Sequence, residues 1–311
     1  MINLSRRRIA LGVVCAGLVL LPAVVGWSTG RALRPSAAAP VSPPSSAGGF
    51  EMLPSPSAAP SVEVTPTAAT LPPELPPPVG WKLSDVPQFA PPPAPEPIVL
   101  PEGDEVPFLS RVPVTRPVAF LTIDDGYLKN PEAPKLLAAA GIPVTLFLTT
   151  DAIQDNVPFF DNLRTYGAVI EAHTISHPEL SGRSYGFQKH QICDGTDRLA
   201  QWYGRRPVLF RPPFGDKDHT TLRVAKECGL RAAFMWKETV DKGIVRFQDG
   251  NTTVLPGDII LMHFRPAFVK DFLAALRAIH DAGLTPALLE DYVPLDSPSP
   301  AADGHLPGAQ D

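Results

Sequence analysis

The sequence predicts an α/β fold built on parallel strands, and three of its features lead there. Short apolar runs such as residues 118–123, 143–149 and 168–172 have too few polar positions to face water on one side, so they suit strands covered on both faces. Helical stretches alternate with these runs, and several end at a glycine, as at Gly141 and Gly204. Two of the strands run straight into chemistry-bearing side chains, Asp124-Asp125 and His173, at the strand end where α/β folds collect their sites.

The chain has 311 residues, a formal net charge of -5 and 44% hydrophobic residues, enough for one sizeable domain with appendages and too acidic for a nucleic-acid partner. Of its three cysteines, Cys15 lies in an N-terminal apolar run, and Cys193 and Cys228 lack the Cys-x-x-Cys spacing of thiolate metal sites. Arg6, Arg7 and Arg8 precede an uncharged run over residues 9–30, long enough to span a bilayer. Pro22 and Ala37-Ala38-Ala39 leave cleavage as the other outcome, so residues 1–30 are expected to be a membrane anchor or an export signal. Residues 31–107 carry more than half of the 39 prolines. Such a segment favours the extended polyproline conformation and could reach on the order of 200 Å, as a stalk through a cell wall or a plain spacer. Trp81 and Phe89 are expected to dock where it meets the domain. The domain itself is placed at residues 108–295, and a polar tail over 296–311 is expected to be disordered.

In chain order, residues 118–125 form the first strand, ending in Asp124-Asp125-Gly126. Successive strand residues face opposite sides, so both acids reach one cavity only if the chain turns there, which Gly126 permits. A helix over 131–140 and a strand over 143–149 complete a parallel crossover unit. A further helix near 160–166 and a strand over 168–172 lead to His173-Thr174-Ile175-Ser176-His177-Pro178. Histidines four apart share one face of a helical turn and so can bind one ion. An Asp with two His gives three ligands and leaves room for water, the pattern of catalytic zinc and related metals.

Residues 187–203 read as one helix closed by Gly204. A short strand over 207–210 precedes Arg211-Pro212-Pro213-Phe214-Gly215, where an arginine held by Pro-Pro is placed to clamp a carboxylate. Asp218 can cap the helix that runs to Cys228. Strands follow at 232–236 and, after the Leu255-Pro256-Gly257-Asp258 turn, at 259–262, ending in His263. The helix over 267–282 puts Phe268, Phe272, Leu276 and Ile279 on one face, which leaves His280 a structural role, and 284–289 is expected to be a closing strand.

In this order, TIDDG, HTISHP, FRPPFG and PGDIILMH resemble the polysaccharide deacetylases, the NodB-type homology domain of carbohydrate esterase family 4. The resemblance spans roughly residues 113–295. It implies a distorted (β/α) barrel and metal-dependent removal of acetyl groups from N-acetylated sugars, or from O-acetyl esters in some members. It further implies Asp125, His173 and His177 as ligands of one divalent ion, zinc first, with cobalt, manganese or nickel as alternatives. Asp124 would be the base held by Arg211, the Phe214 N–H a donor to the oxyanion, and His263 the general acid. Leu261 would line the acetyl pocket, and Pro212, Pro213, Phe214 and Trp236 the groove. The product of these expectations is a monomeric enzyme of the cell envelope acting on an acetylated polysaccharide, membrane-tethered or secreted. A non-catalytic glycan binder on the same fold is the rival.

Two departures from the family pattern stand out. Glu171 occupies a place where a small residue is usual, and an extra carboxylate there could alter the metal site. The Asp-Trp motif that supports the catalytic histidine is absent, the chain reading Trp236-Lys237-Glu238-Thr239-Val240-Asp241. Glu238 and, less directly, Asp241 are the acids nearest in sequence to take over that support. Cys193 and Cys228, on helices flanking the 207–210 strand, are expected to be neighbours that export would allow to oxidise.

Overall fold

The computed structural model describes Leu71 and residues 75–294. The N-terminal basic and apolar stretch, the proline-rich sequence up to residue 70 and the tail from residue 295 lie outside the described residues. Among the described residues, no helix is long and apolar enough to cross a membrane.

Strand β1 (Phe108–Leu109) is followed by β2 (Val118–Asp125), α1 (Ala133–Ala140), β3 (Val144–Leu148), α2 (Thr150–Ile153), α3 (Val157–Arg164) and β4 (Ala168–Ala172). Helix α4 (Tyr185–Lys189) passes through a π turn (His190–Asp194) into α5 (Gly195–Tyr203). Then come β5 (Leu209–Phe210), α6 (His219–Glu227), β6 (Ala232–Phe234), β7 (Glu238–Asp241), β8 (Ile244–Phe247), β9 (Ile259–His263), α7 (Phe268–Asp281) and β10 (Thr285–Pro286). The sheet order is β1-β6-β5-β4-β3-β2-β9-β7-β8, with β10 beside the start of β2. All pairs are parallel except the β7–β8 hairpin.

Strand alternation divides the core in two. Leu121, Ile123, Leu146, Leu148, Ile260 and Met262 pack against the helices with Leu136, Phe268, Phe272 and Leu276. Val118, Phe120, Phe147, Leu209, Phe234 and Ile259, from five different strands, meet on the other face with Leu289 and Tyr292. Five strands sharing one inner cluster require the sheet to curl, and the result is the incomplete (β/α) barrel that the sequence resemblance implies. The fully buried phenylalanines of α7, Phe268 and Phe272, each contribute roughly 1.5–3 kcal/mol by leaving water. Helix α6 starts at Asp218, whose side chain accepts the Thr221 N–H at 2.9 Å, while the Thr221 hydroxyl donates back toward it.

Several elements depart from the sequence reading. The expected helix over 187–203 contains the π turn, which adds a residue to the winding and shifts the faces on either side. The expected closing strand keeps only Thr285–Pro286, because the chain then turns inward as a 3-10 turn that buries Leu289 and Tyr292 under the sheet. The β7–β8 hairpin was not anticipated. Its signal was present in the alternating runs on either side of Lys242-Gly243, both of which adopt positive φ, at 55° and 77°.

The described end of the proline-rich segment is packed on the domain instead of standing off as a spacer. Trp81 Nε1 and the Val79 N–H both donate to Glu132 Oε2, at 2.8 and 2.9 Å. Lys135 joins them, bonding Glu132 at 2.6 Å and the Pro77 carbonyl at 2.9 Å. Val86 and Val106 are buried in the helix-side core, and Phe89 meets His280 edge-on at 5.9 Å. Prolines bring no N–H that needs a partner, so a few apolar side chains are enough to hold such a segment down.

Candidate active site

The site lies where β2, β4, β5 and β9 end. Thr122 and Asp124 share the inner face of β2 with Phe120, and Asp125 would point outward if the strand continued. It does not continue, because Asp125 itself takes φ 73° and Gly126 takes 96°. A β-carbon at Gly126 would come within 2.4 Å of the Ile153 side chain, so this turn requires glycine twice over, for conformation and for space. The turn brings both carboxylates to the mouth of the barrel.

Arg211 is fully buried at the end of β5. Its Nη1 donates to Asp124 Oδ1 at 2.7 Å and to the Thr122 hydroxyl at 2.8 Å, and its Nε and Nη2 reach the Phe234 and Met235 carbonyls at 3.4 and 3.2 Å. The guanidinium lies 4.3 Å from the Phe147 ring centre and 5.7 Å from that of Trp236. A buried cation persists only with such pairing, and removing one partner of a buried pair is strongly destabilising. Burial lowers the Arg211 pKa from its ordinary value, against the opposing pull of Asp124.

His173, ending β4, shares Nδ1 with the Arg211 carbonyl at 2.6 Å. Since a carbonyl can only accept, that nitrogen carries the proton and Nε2 keeps its lone pair for an ion. Nε2 of His173 lies 3.5 Å from Asp125 Oδ1, and Nε2 of His177 lies 3.2 Å from the same oxygen. The expected helical turn between the histidines does not form. Thr174 and His177 adopt φ of 68° and 58°, and it is this left-handed loop that folds the second imidazole back toward the first.

One ligand atom from each of Asp125, His173 and His177 falls within 4.8 Å of the others, as donors around a single ion would. Asp125 Oδ1 is buried without a hydrogen-bond partner, an orphaned acceptor aimed between two imidazole nitrogens. The residues therefore fit a divalent cation. Burial would raise the Asp125 carboxyl, but His173 and His177 against it, with His263 nearby, outweigh that and hold it far below the usual carboxylate range.

His263 is paired in register with Asp124 at the end of β9. Burial lowers its pKa from the ordinary imidazole value, against the opposing pull of Asp124 and Asp125. Leu261, one inward step earlier on the strand, is buried. Pro212 and Pro213 are buried, Trp236 is half-buried, and Phe214 is 61% exposed with its ring edge-on to His177 at 4.6 Å.

Neither acid expected to support His263 does so. Glu238 pairs in register with Ile260, which faces the helices, so its side chain lies on the opposite face from His263 and three residues nearer the other end. There it stands beside Asp258, which Arg111 holds at 2.5 Å. Asp241 faces Arg265 at 3.9 Å. Glu171 stays out of the metal cluster as well. It sits one inward step below His173, bonded to Arg205 at 2.7 Å and accepting the Val208 and Leu209 N–H groups at 2.7 and 2.6 Å. Cys193 and Cys228 are joined as a disulfide, with α-carbons 5.0 Å apart.

Three neighbours of the site escaped the sequence reading. Thr122 and Phe147 could have been found by counting inward steps from Asp124 along β2 and across to β3, where Asp124 pairs with Phe147. Tyr127 is 57% exposed, and its hydroxyl pKa is raised by burial and then by Asp125 and Asp151, which puts it at the rim of the same mouth.

Residues 111–233 match a family model described as polysaccharide deacetylase. An uncharacterized protein of Streptomyces coelicolor is 34% identical over 192 residues, covering 60% of this chain and 77% of that protein. A peptidoglycan-N-acetylglucosamine deacetylase of Bacillus cereus is 27% identical over 163 residues, covering 49% of this chain and 75% of that protein. Among solved structures, a family 4 carbohydrate esterase from Bacillus anthracis shares the fold, with a TM-score of 0.51 and 21% identity over 60% of this chain and 86% of that one.

Proposed function

The chain belongs to the polysaccharide deacetylase family, and we propose that it is a metal-dependent hydrolase removing acetyl groups from an N-acetylated polysaccharide of the cell envelope. The observation that carries this reading is the Asp125, His173 and His177 cluster standing next to a second carboxylate, Asp124, that a buried arginine holds in place. A divalent ion held by the three ligands, zinc first and cobalt, manganese or nickel as alternatives, supplies Lewis acidity toward a carbonyl.

The chain's own groups account for the rest. Arg211 holds the Asp124 carboxylate in place beside the cluster, where it would take the proton of the attacking water. The Phe214 N–H donates to the oxygen on which negative charge develops. His263, as the imidazolium, protonates the leaving amine. Leu261 closes the floor where the acetyl methyl sits, and Phe214, Pro212, Pro213 and Trp236 wall the groove for the sugar chain. The enzyme acts as a monomer outside the cytoplasm, held at the membrane or released according to the fate of its N-terminal segment.

One observation favours the second reading, a glycan-binding protein that kept the metal site. His263 has neither Glu238 nor Asp241 to hold it charged, and burial disfavours the imidazolium it needs to be. Acetate release from N-acetylglucosamine oligomers separates the two readings. Turnover that needs added metal supports the hydrolase, whereas oligomer binding without acetate release supports the binder. Release from acetyl esters alone would reassign the enzyme to O-deacetylation.

A further inference from the structure

The loop from His173 to His177 holds two non-glycine residues, Thr174 and His177, at positive φ. Such backbone persists only where its surroundings over-determine it. On one side the neighbouring strand and helix do this. The Thr149 hydroxyl donates to the His173 carbonyl at 2.9 Å, and the Thr150 and Asp151 N–H groups bond the Thr174 and Ile175 carbonyls at 3.2 and 2.9 Å. On the other side the hydrogen bonds come from one side chain. Gln191 Oε1 accepts both the Ile175 and Ser176 N–H groups at 3.1 Å, and its Nε2 donates to the Ser176 hydroxyl at 3.1 Å.

Gln191 is buried on the π turn between α4 and α5, the kind of one-residue insertion that recurs where a helix is bent to serve a site. Two further features hold this turn against the loop. Gly195 lets α5 approach so closely that a β-carbon there would meet the Thr174 carbonyl carbon and the Ile175 nitrogen at 3.2 and 3.3 Å. The Cys193–Cys228 disulfide ties the turn, two residues past Gln191, to the end of α6.

We infer that Gln191 is the positioning residue of the metal loop, and that the disulfide acts through it by fixing the turn that carries it. The inference rests on the metal-centre reading for its effect on affinity. Gln191 touches neither ligand nor ion; it sets where His177 stands relative to His173 and Asp125.

The test uses the full chain and three variants: Gln191→Met, which keeps the length and loses the acceptor, Gln191→Glu, which keeps the acceptor, and the paired Cys193→Ser, Cys228→Ser change. Zinc affinity is read by competition with a chelating dye, and amide exchange is read on the metal-free protein. Gln191→Met should weaken zinc binding roughly 10- to 100-fold, as loss of an outer hydrogen-bonding partner does, and should speed exchange at Ile175 and Ser176. Gln191→Glu should restore most of the affinity. The cysteine pair should weaken binding in the wild-type background and add little on top of Gln191→Met. Unchanged affinity and exchange in Gln191→Met would overturn the inference, and so would a Gln191→Glu variant as weak as Gln191→Met. Fully additive effects of the cysteine and glutamine changes would overturn the role given to the disulfide. Should the wild type bind no metal while Gln191→Met still frees the Ile175 and Ser176 amides, the metal centre fails and the positioning role stands.

Discussion

Two sets of buried carboxylates lie in the domain, one at the mouth where the strands end and one outside the metal cluster, and the balance of groups around them differs. At the mouth, Asp124 and Asp125 are faced by Arg211, His173, His177 and His263, and the balance on Asp125 keeps it ionised despite its burial. Deeper in the barrel, Glu171 is raised to about 6 by burial, against the pull of Arg205 and the Val208 and Leu209 N–H groups, while Glu290 is pushed up by burial and then by Glu171. Glu238, on the helix side, is raised to about 9 by burial and then by Asp258. Burial is common to both sets, so it does not by itself mark a reactive acid. What separates them is the balance at each group: the imidazoles outweigh burial at Asp125, whereas burial outweighs Arg205 at Glu171 and is reinforced by a neighbouring acid at Glu290 and Glu238.

The strongest break in this comparison is removal of the ion. A chelator should take acetate release to background, and zinc should restore it, since Asp125 and the histidines do no chemistry by themselves. Next in size is Asp124→Asn, which keeps the shape beside Arg211 but cannot take a proton. Activity should fall roughly 10²- to 10⁴-fold with metal content unchanged. Retained activity would show that another group activates the water.

A smaller effect sharpens the role of His263. A general acid works below its own pKa, and burial lowers that of His263, so kcat/KM should fall as pH rises through a value below the ordinary imidazole pKa of about 6.5. Glu238→Gln and Asp241→Asn should leave this alkaline limb where it is. A shift to lower pH in the Glu238 variant would place that carboxylate within reach of the histidine after all.

Glu238→Gln should show itself in stability. The folded carboxyl stays neutral up to about pH 9, whereas the unfolded one ionises near its ordinary value of about 4.3, so wild-type stability is lost progressively as pH rises between the two. Glutamine has no such dependence. The variant should therefore gain on the wild type across that window, by on the order of a few kcal/mol at its upper end, measured by denaturant unfolding from pH 4 to 9. A wild type whose stability does not fall across the window would remove Glu238 from the buried neutral set.

The sequence made the strand ends legible because their chemistry is local. Asp124-Asp125 and His173 each follow an apolar run directly, and Arg211 sits between a short strand and two prolines. Glu171 and Glu238 were misread for one reason: nearness in sequence to a site residue says nothing of depth or face. One inward step below His173 is already the barrel interior, and Glu238 is placed on the helix side by its register with Ile260. The convergence of the histidines was expected from helical spacing and comes instead from two strained residues, Thr174 and His177, whose conformation their side chains do not advertise. Gln191 was invisible for the same reason, since only the π turn aims it at the loop.

The central claim is that Asp125, His173 and His177 together hold one divalent ion. Its most direct test is metal content per chain, measured on purified wild-type protein and on His177→Ala after dialysis. The account predicts one equivalent in the wild type and loss of most of it in the variant, with the fold intact by circular dichroism. Full occupancy in His177→Ala would contradict it.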